Sequence, residues 1–265
     1  MPATRECVFC ATPITNSTAS REDTIPKWLQ AELGIADATV EPTLTSWTGE
    51  QLSQRVHPVG KLVTGGVCRR CNNGWMSELE SEAIPILRVL MSSKQTLESL
   101  DRSERRDLSR WSQKTAFMLD RGGLEPHVAE VDLHEFYENA PYPLSTTFVF
   151  GRQQLATRPW YYIATGTWKH GQLTDAARER VERDSYKISL QFRDLILFIA
   201  HWPLARWGFR VEKGELVKIW PENAVVKEYL HPETQNATLS DDACRRYLLT
   251  LSVVPHAGAV GYARR

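Results

Sequence analysis

The chain has 265 residues, of which 42% are hydrophobic and 24% charged, with 32 basic residues balancing 32 acidic ones at a formal net charge of zero. That length and apolar content carry one large domain or two smaller ones with a real core, and they exclude a disordered or low-complexity chain. A neutral balance does not mark a nucleic-acid binder by charge alone, and the longest apolar run, Leu195 to Ala200, is too short to span a bilayer.

Two cysteine pairs organise the N-terminal third: Cys7-Val8-Phe9-Cys10 and Cys68-Arg69-Arg70-Cys71. Two residues between thiolates let one tight turn, or a turn and the first coil of a helix, aim both sulfurs at one ion. Two such pairs close a tetrahedral structural Zn²⁺ site. The alternative is two disulfides. Met1 to Arg5 has no apolar core behind a charged start, so the expectation is a cytoplasmic chain, where ligation is the better reading. Cys244 has no partner at ligand spacing and reads as a small buried apolar residue.

The first pair is expected at the tip of a β-hairpin. The second is expected to open a helix, because Trp75, Leu79 and Ala83 recur every four residues after it. Between the pairs lies Glu22-Asp23-Thr24-Ile25-Pro26, and the second pair runs directly into Asn72-Asn73-Gly74-Trp75.

Further along, Pro85 sits within an apolar helical pattern as a kink or a first-turn residue. A stronger helix runs from about Ser103, its expected N-cap, to Asp120, and Gly122-Gly123 ends it. Leu108, Trp111, Thr115, Met118 and Leu119 mark its apolar face; Arg102, Arg105, Arg106 and Arg110 crowd the other, where Glu104 and Asp107 pair them. Strands are expected at Thr146–Phe150, Trp160–Ala164, Tyr186–Phe192 and Leu195–Trp202. A hairpin is expected over Trp207–Trp220 with Gly214 in its turn. Short helices are expected at Thr174–Asp184 and Asp241–Leu251, before a frayed tail.

These parts define an α+β chain: a zinc module (1–82), a helical region (83–144) and an antiparallel sheet domain with a C-terminal helix (145–265). Residues 1–80 hold seven Lys or Arg and nine Asp or Glu, while residues 150–220 hold twelve and seven, so the sheet region is the basic one. There Trp160, Tyr161, Tyr162, Trp168, Trp202, Trp207 and Phe209 interleave with Arg158, Lys169, Arg206 and Arg210. Aromatics among cations can stack bases while the cations hold phosphates; the plainer reading is that strand aromatics fill a core.

CVFC (7–10), REDTIPKWL (21–29) and CRRCNNGWMSELE (68–80), with LSRWSQKTAFML (108–119) after them, resemble the zinc-stabilised treble-clef (ββα-metal-like) branch of the HNH endonuclease superfamily. The specific motifs cover the first third of the chain. The resemblance implies a metal-dependent phosphodiester hydrolase acting on DNA or RNA, with Zn²⁺ held by Cys7, Cys10, Cys68 and Cys71. It implies a catalytic Mg²⁺ or Mn²⁺ held by Glu22 and Asn72, or by Asn73 if the register shifts by one.

The position of the superfamily's catalytic histidine is occupied here by Asp23. A carboxylate near pKa 4 is a weak base at neutral pH, and a neighbouring cation weakens it further, so Asp23 suits a metal ligand better than a base. Adjacent strand residues point to opposite faces, so Glu22 and Asp23 share one ion only at a bulge or strand end; the bland alternative is a pair of solvated hairpin charges. His57, inside the insertion, is the histidine that could stand in as the base, or it is simply a loop residue. A catalytically degenerate nucleic-acid binder, or an interaction protein that uses the treble clef as a scaffold, is the alternative reading; a protein partner or homodimer stays open, and no membrane partner is expected.

Overall fold

Short local hydrogen bonds build the first elements. In a computed structural model, which describes residues 5–40, 43–45, 51–54, 56–92, 97–123, 126–138, 147–153, 160–165, 174–204, 207–210, 217–220, 238–239 and 252–255, Cys7 to Cys10 lie on a tight turn. Cys7 N–H donates to Thr12 O and Ala11 N–H to Cys7 O, both at 2.9 Å, and Ala11 takes a left-handed φ of 53°. Val8 N–H then donates to Gly66 O at 2.9 Å, which brings the turn before the second cysteine pair alongside the first. Gly66 has φ 105°, a backbone state that favours glycine.

The chain divides into two compact units, one of Met1–Ser81 with Gln113–Ala140 and the other of Glu82–Ser112 with Pro141–Arg265. In the first unit, strand β1 (Glu22–Asp23) pairs antiparallel with a strand some forty residues on, and an insertion separates them. The insertion starts with helix α1 (Lys27–Leu33), entered through Pro26 and ended by Gly34 at φ 66°. Strands β2 (Thr39–Val40), β3 (Thr43–Thr45), β4 (Gln51–Gln54) and β5 (His57–Pro58) follow, paired β2 with β5 and β3 with β4. The chain returns as β6 (Val63–Thr64), with Glu22 opposite Thr64 and Asp23 opposite Val63.

The second cysteine pair opens a helix, as its sequence implies. The single turn α2 (Arg69–Cys71) passes through a widened turn at Asn72–Met76, where Gly74 leaves helical dihedrals, into α3 (Ser77–Met91). Pro85 lies inside α3. Leu79 and Ala83 are buried on one face of it.

Helix α4 (Arg102–Arg121) contributes its last turns to this unit and its first turns to the other. Its N-cap is Asp101, not Ser103. Asp101 Oδ1 accepts from Glu104 N–H at 2.9 Å, and Glu104 Oε2 accepts in return from Asp101 N–H at 2.9 Å. This reciprocal box needs an acid three residues after the cap, which Asp101 has and Ser103 does not. At the other end Gly122 seats against the strand pair: a Cβ there would lie 2.7 Å from Thr24 Cγ2 and 3.1 Å from Thr64 Oγ1. Helix α5 (Glu130–Tyr137) closes the unit. Phe9, Trp75, Phe136 and Phe117 form a chain of edge-on rings, with centroids 5.1 Å, 5.7 Å and 5.5 Å apart in that order.

The second unit is built on strands β7 (Thr147–Gln153), β8 (Trp160–Thr165), β9 (Tyr186–Phe192) and β10 (Leu195–His201). Helix α6 (Asp175–Asp184), capped by Thr174, precedes β9. The remaining strands are β11 (Trp207–Arg210), β12 (Val217–Trp220), β13 (Thr238–Leu239) and β14 (Ser252–Pro255). The main sheet runs β12-β7-β10-β9-β8, antiparallel throughout, with β13 added parallel to β7. Every residue of β9 and β10 is buried, and Arg193 at φ 55° turns one into the other. Trp111, on the first half of α4, packs its ring 5.9 Å from Phe192.

The architecture is α+β, mixing helices with small antiparallel sheets. The hairpin expected over Trp207–Trp220 does not form. β11 pairs with β14 and β12 with β7, because strand propensity is local while the choice of partner is settled by the sheet as a whole. The helix expected at 241–251 and Cys244 lie outside the described residues. Among the described residues no helix is long and apolar enough to cross a membrane.

Candidate metal centre and adjoining cleft

Four sulfurs converge where the two turns meet. Cys7 Sγ lies 3.8 Å from Cys71 Sγ, and Cys10 Sγ lies 3.6 Å from Cys68 Sγ. All four ligand atoms fall within 4.8 Å of one another. A tetrahedral ion with Zn–S bonds of about 2.3 Å needs sulfurs about 3.8 Å apart, whereas a disulfide needs about 2.05 Å. The four cysteines are free thiols, so the disulfide alternative fails and the donor set fits structural zinc.

The surroundings divide the four thiols, lowering Cys7 and Cys10 and raising Cys68 and Cys71, Cys68 chiefly through burial. Hydrogen bonding between Cys7 Sγ and Cys71, and from the backbone N–H groups of Cys10, Cys68 and Phe9, brings the Cys7 pKa down to about 4 against the opposing effect of burial. The Cys68 N–H lies 3.4 Å from Cys7 Sγ. Burial pushes Cys10 up, but hydrogen bonding with Thr12, Cys71 and Arg70 outweighs it and the net shift is downward. Cys71 is held above the ordinary thiol range by its hydrogen bond with Cys7 and by burial, with the Trp75 indole N–H pulling the other way. Arg70 therefore places a positive charge against a centre that is net negative once four thiolates surround a dication. His134 Nδ1, 2.8 Å from Phe9 O, ties α5 to the first turn.

Beside this centre lies a cleft of about 340 Å³. Glu22, Asp23, Asn72 and Asn73 all line it, together with Arg21, Lys27 and Glu80. β1 supplies Glu22 and Asp23; the widened turn after α2 supplies the two asparagines. Strand alternation separates the carboxylates. Glu22 turns inward, 6% exposed, while Asp23 stays half-buried and pairs with Lys27 at 3.1 Å. Asn72 Nδ2 donates to Ser20 Oγ, and Asn73 is exposed.

Glu22 is not a solvated hairpin charge. Lys114, reaching from α4, donates to Glu22 Oε1 at 2.6 Å and to Glu80 Oε1 at 2.6 Å. The lysine side chain is 1% exposed. Burial still leaves the Glu22 carboxyl above its ordinary pKa, with the ammonium pulling the other way. Sequence reasoning missed Lys114 and Glu80. A signal existed for the first: Lys114 falls between Trp111 and Met118 on the apolar face of α4, where a charge needs a buried partner.

His57 is half-buried on β5 opposite Val40 and does not line the cleft. His127 is held by the buried Asp120, with Nδ1 3.2 Å from Oδ1. His201 lies in the second unit, and His170, His231 and His256 lie outside the described residues. Of the aromatic and basic residues considered for base stacking, Trp202 is fully buried and fills a core. Trp160, Tyr161, Tyr162, Trp207, Phe209 and Arg210 fall on strands, and Arg158, Trp168, Lys169 and Arg206 lie outside the described residues.

Searches against protein families, curated proteins and solved structures found no match to this chain.

Proposed function

We propose that the first unit is a zinc-stabilised treble clef of the HNH kind that processes nucleic acid, with the cleft at Glu22, Asp23, Asn72 and Asn73 as its phosphodiester site. The order of parts supports the treble clef: a cysteine turn, the β1–β6 pair, then a helix opened by the second cysteine pair. One observation carries the functional reading. Residues some fifty positions apart, which the HNH pattern assigns to cation binding, line a single cleft beside the four-thiol centre.

In this reading the reaction is metal-dependent phosphodiester hydrolysis. Asp23 and Asn72, with Asn73 beside them, offer hard oxygen ligands to Mg²⁺ or Mn²⁺, which would stabilise the charge developing on the phosphate. Glu22 is committed to Lys114 and supports the wall of the cleft. The test is cleavage of supercoiled plasmid and single-stranded substrates with Mg²⁺, Mn²⁺ or Ni²⁺. Cation-dependent nicking that disappears in Asp23→Ala and rises in Asp23→His is the expected result. Inertness with all three ions, in the wild type and in Asp23→His alike, removes hydrolysis.

A second reading has its own observation. Both carboxylates already carry protein partners, Glu22 with Lys114 and Asp23 with Lys27, and among the described residues no histidine lines the cleft. A catalytically degenerate nucleic-acid binder fits those facts. Retention of nucleic acid at low salt, released as salt rises, without cutting, selects this reading. No retention at low salt removes both, and leaves the treble clef as a scaffold for another interaction.

A further inference from the structure

A charged amine held on a helix between two carboxylates is unusual when it is shielded from water, because each charge must be stripped of its hydration. Lys114, Glu22 and Glu80 come from three separate elements, α4, β1 and α3, and meet at a single point. The ammonium nitrogen stands 2.6 Å from one oxygen of each carboxylate. Hard cations sit at similar points: Ca²⁺ lies about 2.3–2.6 Å and Mg²⁺ about 2.0–2.1 Å from its oxygens. The lysine side chain is 1% exposed, that of Glu22 7% and that of Glu80 23%, so the arrangement is built into the unit and opens to the cleft on the Glu80 side.

Charge makes the comparison sharper. Two carboxylates and one ammonium leave a net of minus one; two carboxylates and one dication leave none. The site is therefore one charge short of balance with the lysine, and would be balanced by the ion that the lysine displaces.

We propose that Lys114 is a built-in cation, occupying between Glu22 and Glu80 the place of a divalent metal ion, and that this amine keeps Glu22 closed to metals. A divalent-cation site at Glu22 and Glu80 opens only when the amine is removed. Any ion the cleft takes in the wild type is held on its outer side, by Asp23 and the asparagines. The inference does not depend on nucleic acid or on hydrolysis, since metal occupancy is read with neither present.

The experiment uses the full, zinc-loaded chain and Mn²⁺ as the probe, followed by its electron paramagnetic resonance. Lys114→Met keeps the apolar stem and removes the charge. It is expected to bind one further Mn²⁺ about tenfold or more tightly than the wild type does, since affinity follows the charge of the ligands. Lys114→Met combined with Glu22→Gln is expected to lose that ion. Glu22→Gln alone is expected to leave wild-type Mn²⁺ binding unchanged. Two results overturn the proposal: wild-type Mn²⁺ binding that falls in Glu22→Gln, or a folded Lys114→Met that binds Mn²⁺ no better than the wild type. If Lys114→Met does not fold in chelated buffer, its far-ultraviolet circular dichroism is read again with Mn²⁺ added. Recovery of the wild-type spectrum supports the substitution of one cation by another, and no recovery counts against it.

Discussion

Lys114 Nζ donates to Glu22 Oε1 at 2.6 Å across 92 positions of sequence. This contact fastens α4 to the two-residue strand that also carries Asp23 into the cleft. Glu80, four residues after Met76 on the α3 side, accepts from the same amine. Removing one member of a buried charge cluster leaves the others without compensation, at a cost of about 3–5 kcal/mol. Replacing all members by neutral groups of similar size removes the desolvation penalty together with the attraction. Lys114→Ala is therefore expected to lower unfolding stability by about 3–5 kcal/mol, and the triple variant Lys114→Met, Glu22→Gln, Glu80→Gln by much less. Urea denaturation of the two proteins decides it. Equal losses would mean that α4 packing, not charge, is what the substitution removes.

The sulfur geometry predicts about one Zn²⁺ per chain. Binding free energy of a structural zinc is folding free energy, on the order of 10–16 kcal/mol in small zinc modules. Cys71→Ala, or a strong chelator, is expected to release the ion and to unfold the first unit. Metal analysis by mass spectrometry gives the stoichiometry. Substituted Co²⁺ should show a tetrahedral thiolate spectrum, and a reducing agent should change neither result.

Much of this arrangement was legible because its signals are local. The two cysteine pairs announce their turns by spacing alone, and Gly122-Gly123 ends α4 where the helix pattern stops. β9 alternates apolar Tyr186, Ile188, Leu190 and Phe192 with polar residues, and β10 is apolar from Leu195 to Ala200, so their expected limits come close to the observed Tyr186–Phe192 and Leu195–His201. Non-local choices were harder to read. Nothing in Trp207–Trp220 says that its two strands join β14 and β7 instead of each other. Likewise Glu22 looks like a solvent charge until α4 arrives with Lys114. Neutral net charge hid the fact that the carboxylates at the cleft are paired, Glu22 with a buried lysine and Asp23 with Lys27.

The cap of α4 offers a cleaner comparison. Asp101 and Ser103 are both residue types that cap helices, and only Asp101 has Glu104 three positions on to complete the box. Asp101→Ala is expected to lower stability through loss of the cap. Ser103→Ala removes a hydroxyl that merely donates to Asp101 Oδ1 at 2.8 Å, so its cost should be a fraction of that. Denaturation midpoints of the two variants at constant slope test the order; a larger loss in Ser103→Ala would restore the serine as the cap.

A pH dependence follows from the second unit. His201 ends β10, lies opposite Tyr186 and stacks on its ring with centroids 5.4 Å apart and planes 18° from parallel. Burial pushes the imidazole down to about 4, while Asp184 pulls it upward and Arg180 pushes it further down. Above the unfolded value of about 6.5 the ring is neutral in both states and contributes no pH dependence. As pH falls below about 6.5 the unfolded chain takes up a proton that the folded ring refuses, so stability declines through this window. The decline levels off near pH 4, where the folded ring also protonates, after a total loss of about 3 kcal/mol. His201→Phe keeps an apolar ring against Tyr186 and removes the proton. Its stability is expected to fall by about 3 kcal/mol less than the wild type's between pH 7 and pH 4, with urea unfolding followed by tryptophan fluorescence. Carboxylates common to both proteins cancel in that comparison, so equal pH slopes would show that the buried imidazole is not the group responsible.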